Sequence, residues 1–217
     1  NDIPYMTNEN GTIVSFVQAD ELWNYNLNTD ELSLLFSFRD AENTDVRNLT
    51  DEHEVELLSM DEDGNTTFAV YGYMNRGKHE GQVGVAVYYH NITANSIDEK
   101  AFIPSNKSAA ITMEELGKLV YYNVSRECLH MLADGVLYEI DMESADTKKH
   151  VEGLEDGQYV VSKDGGLVAY QSNGDIDEAT QVIVEDLERE EEFSVDAAAD
   201  ECIRPLGFVN GDVVTGT

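Results

Sequence analysis

The residues with the clearest potential for chemistry are oxygen-bearing side chains in one short segment. Asp61, Asp63 and Asn65 have the first, third and fifth spacing of a calcium-binding loop, in which oxygen ligands replace the hydration shell of the ion. However, Thr66 stands where such a loop needs glycine, and Gly72 stands in place of the final bidentate glutamate. We therefore predict a polar turn without a metal ion, with calcium binding by these three residues as the alternative.

Histidines could supply metal ligands or proton acceptors, but their spacing does not favour either role. His53 and His79 each adjoin a glutamate, yet the HExxH spacing that places two imidazoles on one helical face does not occur. His90, His130 and His150 stand isolated in the sequence. The acidic runs 51–54 and 188–192 are typical of solvated loops, with binding of divalent ions or of a basic partner as the alternative. We predict no metal site from these residues.

Sequence signatures of catalysis are also missing. The chain contains neither a GxSxG nucleophile elbow nor a GxxxxGK[ST] phosphate-binding loop. Its 44 acidic residues offer many carboxylate pairs that could cleave a glycosidic bond, but only the folded geometry could select one pair. We therefore predict a protein that is not an enzyme and binds no cofactor.

The charge of the chain limits its partners. Its 217 residues carry 44 acidic and 13 basic side chains, a net charge of -31, which repels nucleic acids and anionic lipids. A membrane-spanning helix needs about 18 apolar residues, and no apolar run in the sequence is that long. We expect no nucleic-acid binding and no membrane insertion, and a protein, peptide or glycan as partner. The acidity is typical of a solvated surface, with recruitment of cations or basic partners as the alternative.

The two cysteines, Cys128 and Cys202, give no indication of a redox or zinc site. They form no CxxC pair, and no histidine lies near either at zinc-ligand spacing. We predict two free thiols, with one disulfide between them as the alternative if the protein is exported.

An internal repeat is the most informative pattern in the sequence. Segments 22–29 and 137–144 match in polarity position by position, and 182–188 and 85–91 are looser copies. In each copy apolar and polar residues alternate, which predicts a strand with one buried face, followed by a turn and a further strand. Upstream of three of these copies, two further strands are joined by a polar turn, at 8–11, 60–64 and 162–166, in which glycine supplies the positive φ.

These patterns predict repeats of four antiparallel strands. The approximate repeats are 1–50, 51–107, 118–156 and 157–200, and a fifth starts at 201–217. A short helix is predicted at 108–117, with Ser108 as N-cap and Gly117 as its end. The irregular spacing of roughly 40 to 60 residues favours the radial blades of a β-propeller over a solenoid. The expected fold is therefore all-β, a single propeller-like domain or propeller fragment over 1–217. If its blades do not close a ring, we expect self-association through the exposed blade edges.

The fourth repeat resembles a known family. Segment 161–170 is similar to the Ser-x-Asp-Gly turn and apolar strand of TolB-like propellers, and 182–188 resembles the strand that follows; WD40-like propellers share this architecture. The sequence departs from the family at Ser162 and Lys163, where the family often places proline. The resemblance implies an extracytoplasmic protein, secreted or at the cell surface and possibly lipid-anchored at full length, of which this chain would be a fragment.

The expected function is binding through the loops between strands. The long polar insertion 72–82 is the predicted contact surface, with Tyr73, Met74 and Arg76 as candidate ligand-binding residues, Tyr73 and Met74 being the ones expected to be exposed. The alternative is a propeller that accompanies a catalytic hydrolase domain in a larger protein.

Overall fold

A computed structural model describes residues 3–38, 52–116, 119–172 and 175–217. Gly117, the predicted helix end, and Asp51 of the first acidic run lie outside these ranges. The strands and the helix are β1 (Tyr5–Thr7), β2 (Ile13–Gln18), β3 (Glu21–Asn26), β4 (Glu31–Phe36), β5 (His53–Met60), β6 (Thr66–Tyr73), β7 (Val83–Asn91), β8 (Ser96–Pro104), α1 (Ala109–Leu116), β9 (Val120–Asn123), β10 (Cys128–Ala133), β11 (Val136–Asp141), β12 (Thr147–Val151), β13 (Tyr159–Val161), β14 (Leu167–Gln171), β15 (Gln181–Asp186), β16 (Glu191–Asp196), β17 (Arg204–Val209) and β18 (Asp212–Gly216).

The strands form antiparallel sheets in which neighbours in sequence pair with each other. We name the four-stranded sheets A (β1–β4), B (β5–β8), C (β9–β12) and D (β13–β16), and the two-stranded sheet E (β17 and β18). The repeated segments supply the third strand of each four-stranded sheet, namely β3, β7, β11 and β15. The chain is all-β, and its propeller-type blades confirm the predicted fold class, including the partial fifth blade and the short helix.

The chain divides into two compact units. The N-terminal unit comprises Asn1–Glu115 with Ser144–Asp146, and the C-terminal unit comprises Leu116–Glu143 with Thr147–Thr217. Sheets A and B and helix α1 up to Glu115 therefore belong to the first unit, and sheets C, D and E to the second.

Sheets A and B pack face to face in the N-terminal unit. Alternation along β2 and β3 directs Val17 and Leu22 toward Val55, Phe68 and Val70 of sheet B, and all five side chains are at most 9% exposed. Aromatic rings extend this core, because Phe36 lies 5.6 Å from Phe68 and 5.8 Å from Tyr88 between ring centroids. Helix α1 begins after Ser108, whose Oγ accepts a hydrogen bond from the backbone N–H of Ile111 (3.4 Å) and so confirms the predicted N-cap.

Sheet D packs against a neighbour on each of its faces in the C-terminal unit. On one face, Val168 and Leu187 join the apolar core that Leu132 and Leu137 of sheet C form. On the other face, Val182, Val184 and Ala169 pack with Ile203, and with Phe208 and Val213 of sheet E. Burying apolar area on successive sheets is the main source of stability for such an architecture.

The hairpin turns also connect neighbouring sheets. Asn8 accepts backbone N–H groups of its own turn and donates from Nδ2 to the carbonyl of Glu62, in the first turn of sheet B (3.1 Å). In the C-terminal unit, Nδ2 of Asn123 in sheet C donates to the carbonyls of Leu187 and Glu188 in the last turn of sheet D (3.0 Å each). Buried amides thus fix the register in which these sheets stack.

Cys128 and Cys202 are free, as expected. None of the helices in the described ranges is long and apolar enough to cross a membrane. Sheet E exposes 59% of Val209 and 40% of Val214. Self-association through blade edges stays a prediction.

Candidate functional site

The predicted contact loop 72–82 lies differently from the expectation. Tyr73 ends β6 half-buried, but Met74 is only 1% exposed, so the expectation that it is exposed is wrong. Its side chain joins the core between sheets A and B. Arg76 donates from Nη2 to the carbonyl of Ser37 (2.8 Å). Met74 and Arg76 line a cavity of about 330 Å³, and ligand binding by this loop stays a prediction.

The candidate calcium ligands lie in the turn between β5 and β6. Both carboxylate oxygens of Asp61 accept hydrogen bonds from Asn65, one from its backbone N–H (2.9 Å) and one from its side-chain amide (2.8 Å). Asn65 also accepts from the backbone N–H of Ile92 (2.9 Å). Asp61 and Asn65 therefore have turn-forming partners in the structure, and the calcium alternative, which includes Asp63, stays a prediction.

An acidic cavity in the C-terminal unit brings together the most chemically capable side chains. Its volume is about 190 Å³. Strands β10, β11, β12 and β15 and the hairpin from β15 to β16 form its walls. The lining residues are His130, Glu139, His150, Glu185, Asp186, Leu187, Glu190, Glu191 and Glu192.

Alternation along the strands explains why polar side chains meet here. His130 shares a face of β10 with Leu132, which packs toward sheet D, and Glu139 is the cross-strand partner of His130 on β11. Glu185 lies on the face of β15 opposite to Val184, so it points toward sheet C. A predicted solvated loop, 188–192, forms the remaining wall.

A β-bulge adds the second imidazole. Leu137 pairs with Val151, but the next residue, Tyr138, pairs with Lys149, so His150 is the extra residue of β12. The bulge allows two consecutive side chains, His150 and Val151, to face sheet D. Val151 packs in the apolar core, and His150 reaches the cavity.

Glu185 forms the centre of a hydrogen-bonded group at the cavity. It is 7% exposed, its Oε2 lies 2.8 Å from Nε2 of His150, and its Oε1 accepts a hydrogen bond from the hydroxyl of Tyr170. Burial raises the pKa of Glu185, but these two hydrogen bonds outweigh it and leave that pKa below its usual value. The same contact raises the pKa of His150. The pair is therefore an ion pair between pH 4.5 and pH 6.5, the ordinary pKa values of the two groups.

His130 lies beside this pair but makes few polar contacts. Its side chain is 4% exposed, and Nε2 lies 3.7 Å from Sγ of Cys128. In the part of the chain that the structure describes, Nδ1 is buried without a hydrogen-bond partner. Burial lowers the pKa of His130 and raises that of the Cys128 thiol to about 11, so both groups are uncharged at neutral pH.

Two basic side chains flank the acidic wall. Lys148 Nζ lies 3.2 Å from Oε1 of Glu139, and Arg126 Nη1 lies 2.5 Å from Oε2 of Glu190. Six of the nine lining residues are acidic. Among the described residues, no group of three His, Cys, Asp or Glu side chains is placed to hold a metal ion. The arrangement can bind a cationic group through carboxylates and a neutral imidazole.

His130 and His150 are isolated in the sequence, but the fold brings both to the lining of one cavity. His150 contacts Glu185, 35 residues later, through packing of one sheet on the next. One signal could have indicated the site: Glu185 occupies an inward position of a strand predicted to be half-buried, and a buried carboxylate needs a partner.

Comparisons with known proteins give structural similarities only. No protein-family model matches the chain, and no curated protein matches it. The extracellular domain of BT4673 from B. thetaiotaomicron, described as a one component system, has a TM-score of 0.41 and 11% identity over 95% of this chain and 25% of its own. A structure of that extracellular domain described as a hybrid two component system has a TM-score of 0.44 and 11% identity, over 92% and 22%. The tricorn protease has a TM-score of 0.35 and 11% identity, over 95% and 23%. The chain spans about a quarter of the length of these proteins.

Proposed function

We propose that the protein is a non-catalytic, extracytoplasmic binding module that takes a basic segment of a partner protein or peptide at the acidic cavity. The observation that carries this proposal is the convergence of carboxylates from three strands and one hairpin around the buried Glu185. A concave site lined by one sign of charge concentrates the field and attracts oppositely charged ligands.

The flanking cations support a basic ligand. Lys148 and Arg126 contact the acidic wall at Glu139 and Glu190, and their side chains are 74% and 52% exposed. Exposed pairs of this kind contribute little to stability, so a partner's cation can replace either one at low cost. The net charge of -31 would also accelerate association with a basic partner.

The size of the cavity supports a peptide over a glycan. A volume of about 190 Å³ lies below the roughly 300 to 1,000 Å³ of typical small-molecule sites. Such a space holds one side chain of a peptide. A glycan is the alternative partner.

The extracytoplasmic location is part of the proposal. It is supported by the resemblance of 161–170 and 182–188 to TolB-like propellers, which also makes a lipid anchor in the full-length protein part of the same proposal.

Isothermal titration calorimetry of the 217-residue chain tests the function. We expect hexalysine to bind, with an affinity that falls when NaCl rises from about 50 to about 300 mM. Hexaglutamate and a neutral hexasaccharide should not bind. Absence of hexalysine binding, or equal binding of hexaglutamate, would overturn the proposal.

A matched pair of variants locates the binding. Glu139→Gln with Glu190→Gln should weaken hexalysine binding by about tenfold or more, because each neutralised carboxylate lies in the cavity wall. Glu155→Gln with Glu178→Gln removes the same charge at exposed positions of the same unit and should change binding about threefold at most. An equal loss in both pairs would place binding on the general surface charge.

A further inference from the structure

The hydrogen-bonding capacity of the acidic cavity is more specific than its charge. Each of the three central carboxylates already has a partner: Glu139 Oε1 has Lys148, Glu190 Oε2 has Arg126, and both oxygens of Glu185 have His150 and Tyr170. In the described ranges, Glu139 and Glu190 therefore each retain one oxygen for a ligand. None of these three carboxylates presents two unoccupied oxygens side by side, and the other two glutamates of the lining, Glu191 and Glu192, are exposed to solvent.

His130 supplies an independent sign of a ligand. Its side chain is more than nine-tenths buried and lines the cavity, yet Nδ1 has no hydrogen-bond partner in the described part of the chain. Buried polar atoms are nearly always paired, so this atom beside the cavity has an unused hydrogen-bonding capacity that a bound group can meet. Nε2 lies 3.7 Å from Sγ of Cys128, and the tautomer that carries its proton on Nε2 leaves Nδ1 with a lone pair that can accept a hydrogen bond.

Resting on the proposed function, we propose that the acidic cavity binds the primary ammonium group of a lysine side chain from the partner, with Glu139, Glu190 and Nδ1 of His130 accepting its three N–H donors. An ammonium is a compact charge whose three donors rotate to meet separate acceptors. A guanidinium is a planar fork that prefers two oxygens of one carboxylate. The single remaining oxygens of Glu139 and Glu190 match the ammonium.

The protonation state of His130 supports the same assignment. Burial keeps its pKa below the usual value, so the ring is neutral and can accept a hydrogen bond at neutral pH. The charged groups near the ring are Glu139 on β11, His150 on β12, Glu185 on β15 and Glu190 in the hairpin. In acid, protonation of His130 would remove the acceptor and add a positive charge, so lysine binding should weaken.

A series of peptides tests the assignment on the intact chain. The probe is acetyl-Gly-Ser-Lys-Ser-Gly-amide, compared by calorimetry with versions that carry arginine, Nε-acetyl-lysine or Nε-trimethyl-lysine. Trimethyl-lysine keeps the charge but has no N–H donor. We expect the lysine peptide to bind at least about tenfold more tightly than the arginine and trimethyl peptides, and the acetylated peptide not to bind.

Two variants connect the selectivity to the named acceptors. His130→Leu should reduce the preference for lysine over trimethyl-lysine to about threefold or less. Because His130 is buried and this variant could fail to fold, Glu190→Gln, at an exposed position, provides the second reading. It should lower lysine affinity by about tenfold, whereas Glu178→Gln should leave the affinity unchanged.

The outcomes separate this assignment from the proposed function. If hexalysine binds at the cavity but trimethyl-lysine or arginine peptides bind as tightly as the lysine peptide, the ammonium assignment fails and the binding module stands. If neither hexalysine nor the lysine peptide binds, both fail. Tighter binding of n-butylamine than of the lysine peptide would overturn a peptide as the source of the ammonium.

Discussion

Glu56 in the N-terminal unit and Glu185 in the C-terminal unit are two carboxylates in similar positions with opposite titration behaviour. Glu56 lies on β5 near Tyr71, and Glu185 lies on β15 near Tyr170. Burial raises the pKa of Glu56 to about 7, and the charge of Glu54 adds to this, although Tyr71 opposes it. The pKa of Glu185 is instead held below its usual value.

The imidazole of His150 accounts for the difference. Both carboxylates lose hydration and both have a tyrosine hydroxyl nearby, but only Glu185 has a cationic partner at 2.8 Å. A hydroxyl alone does not offset the cost of burying a charge, whereas a hydroxyl and an ion pair together do. In this protein, a buried acid whose partners keep it ionised therefore indicates a candidate site. A buried acid without such partners destabilises the fold when it ionises.

The largest expected effect is on stability at Glu56. Because its folded-state pKa is about 7 and the ordinary pKa of a glutamate is 4.5, the chain loses stability as the pH rises from 4.5 to 7. Glu56→Gln should therefore raise the free energy of unfolding by up to about 3 kcal/mol at about pH 8. Urea denaturation at about pH 4 should show little difference. The exposed Glu31→Gln serves as control, and a destabilised Glu56→Gln variant at pH 8 would contradict the comparison.

Glu185→Gln should have the opposite sign. Since the folded-state pKa is lowered, the carboxylate stabilises the protein above pH 4.5, and this contribution is lost as the pH falls below that value. We expect a loss of about 1 to 3 kcal/mol at about pH 6.5, which shrinks toward about pH 3.5. Denaturation curves at both pH values measure it, with the exposed Glu192→Gln as control. A gain in stability at pH 6.5 would remove the distinction between the two acids.

The two tyrosines should differ by a smaller amount. Tyr170→Phe deletes a donor to the buried Glu185 and should cost about 1 to 2 kcal/mol. Tyr71→Phe deletes a donor to Glu54 (3.0 Å), an exposed carboxylate that water can solvate, and a hydrogen bond that favours the charged form of Glu56. Because burial already disfavours that charged form, we expect a cost of about 0.5 kcal/mol. Thermal denaturation at about pH 7 compares the two variants. Equal losses would show that the exposure of the acceptor does not matter.

His150→Gln should produce the smallest change. The side chain is 38% exposed, so solvent screens its pair with Glu185 and we expect a loss below about 1 kcal/mol. Because the pKa of His150 is raised, the loss should be full below pH 6.5 and should disappear as the pH rises through the folded-state value. Unfolding at about pH 5.5 and about pH 9 tests this. A loss that is larger at pH 9 would exclude the ion pair as its cause.

Local patterns in the sequence were sufficient to predict the sheets. The alternation in 22–29 and 137–144 depends on neighbouring residues only, and both segments overlap the third strand of a blade. The turns were also predictable from local sequence: Gly11 and Gly165 have φ values of 63° and 77°, as their hairpins require.

The burial of Met74 follows from a local sequence pattern that the prediction of an exposed loop did not take into account. The insertion 72–82 is polar on average, but Phe68, Val70 and Met74 continue one face of β6 with a period of two. The backbone N–H of Met74 also bonds to the carbonyl of Gln82 (2.8 Å), which extends the hairpin. Periodicity counted past the polar neighbours would have predicted its burial.

The acidic cavity could not be predicted in the same way. It depends on the bulge that leaves His150 unpaired in the ladder of β12 and on the stacking of sheet D against sheet C. Neither feature has a local signature in the sequence. The sequence identifies each residue as an acid or a histidine, but which of them lie close together depends on the tertiary structure.

The buried amide of Asn123 has a practical consequence for producing the protein. Asn123, Val124 and Ser125 form an acceptor sequence for N-linked glycosylation, and the nitrogen that would carry the sugar is the one that donates to the carbonyls of Leu187 and Glu188. Asn123 is fully buried. A sugar added during synthesis in a eukaryotic secretory pathway would prevent sheets C and D from closing, so a bacterial host, which leaves this amide unmodified, suits the native fold.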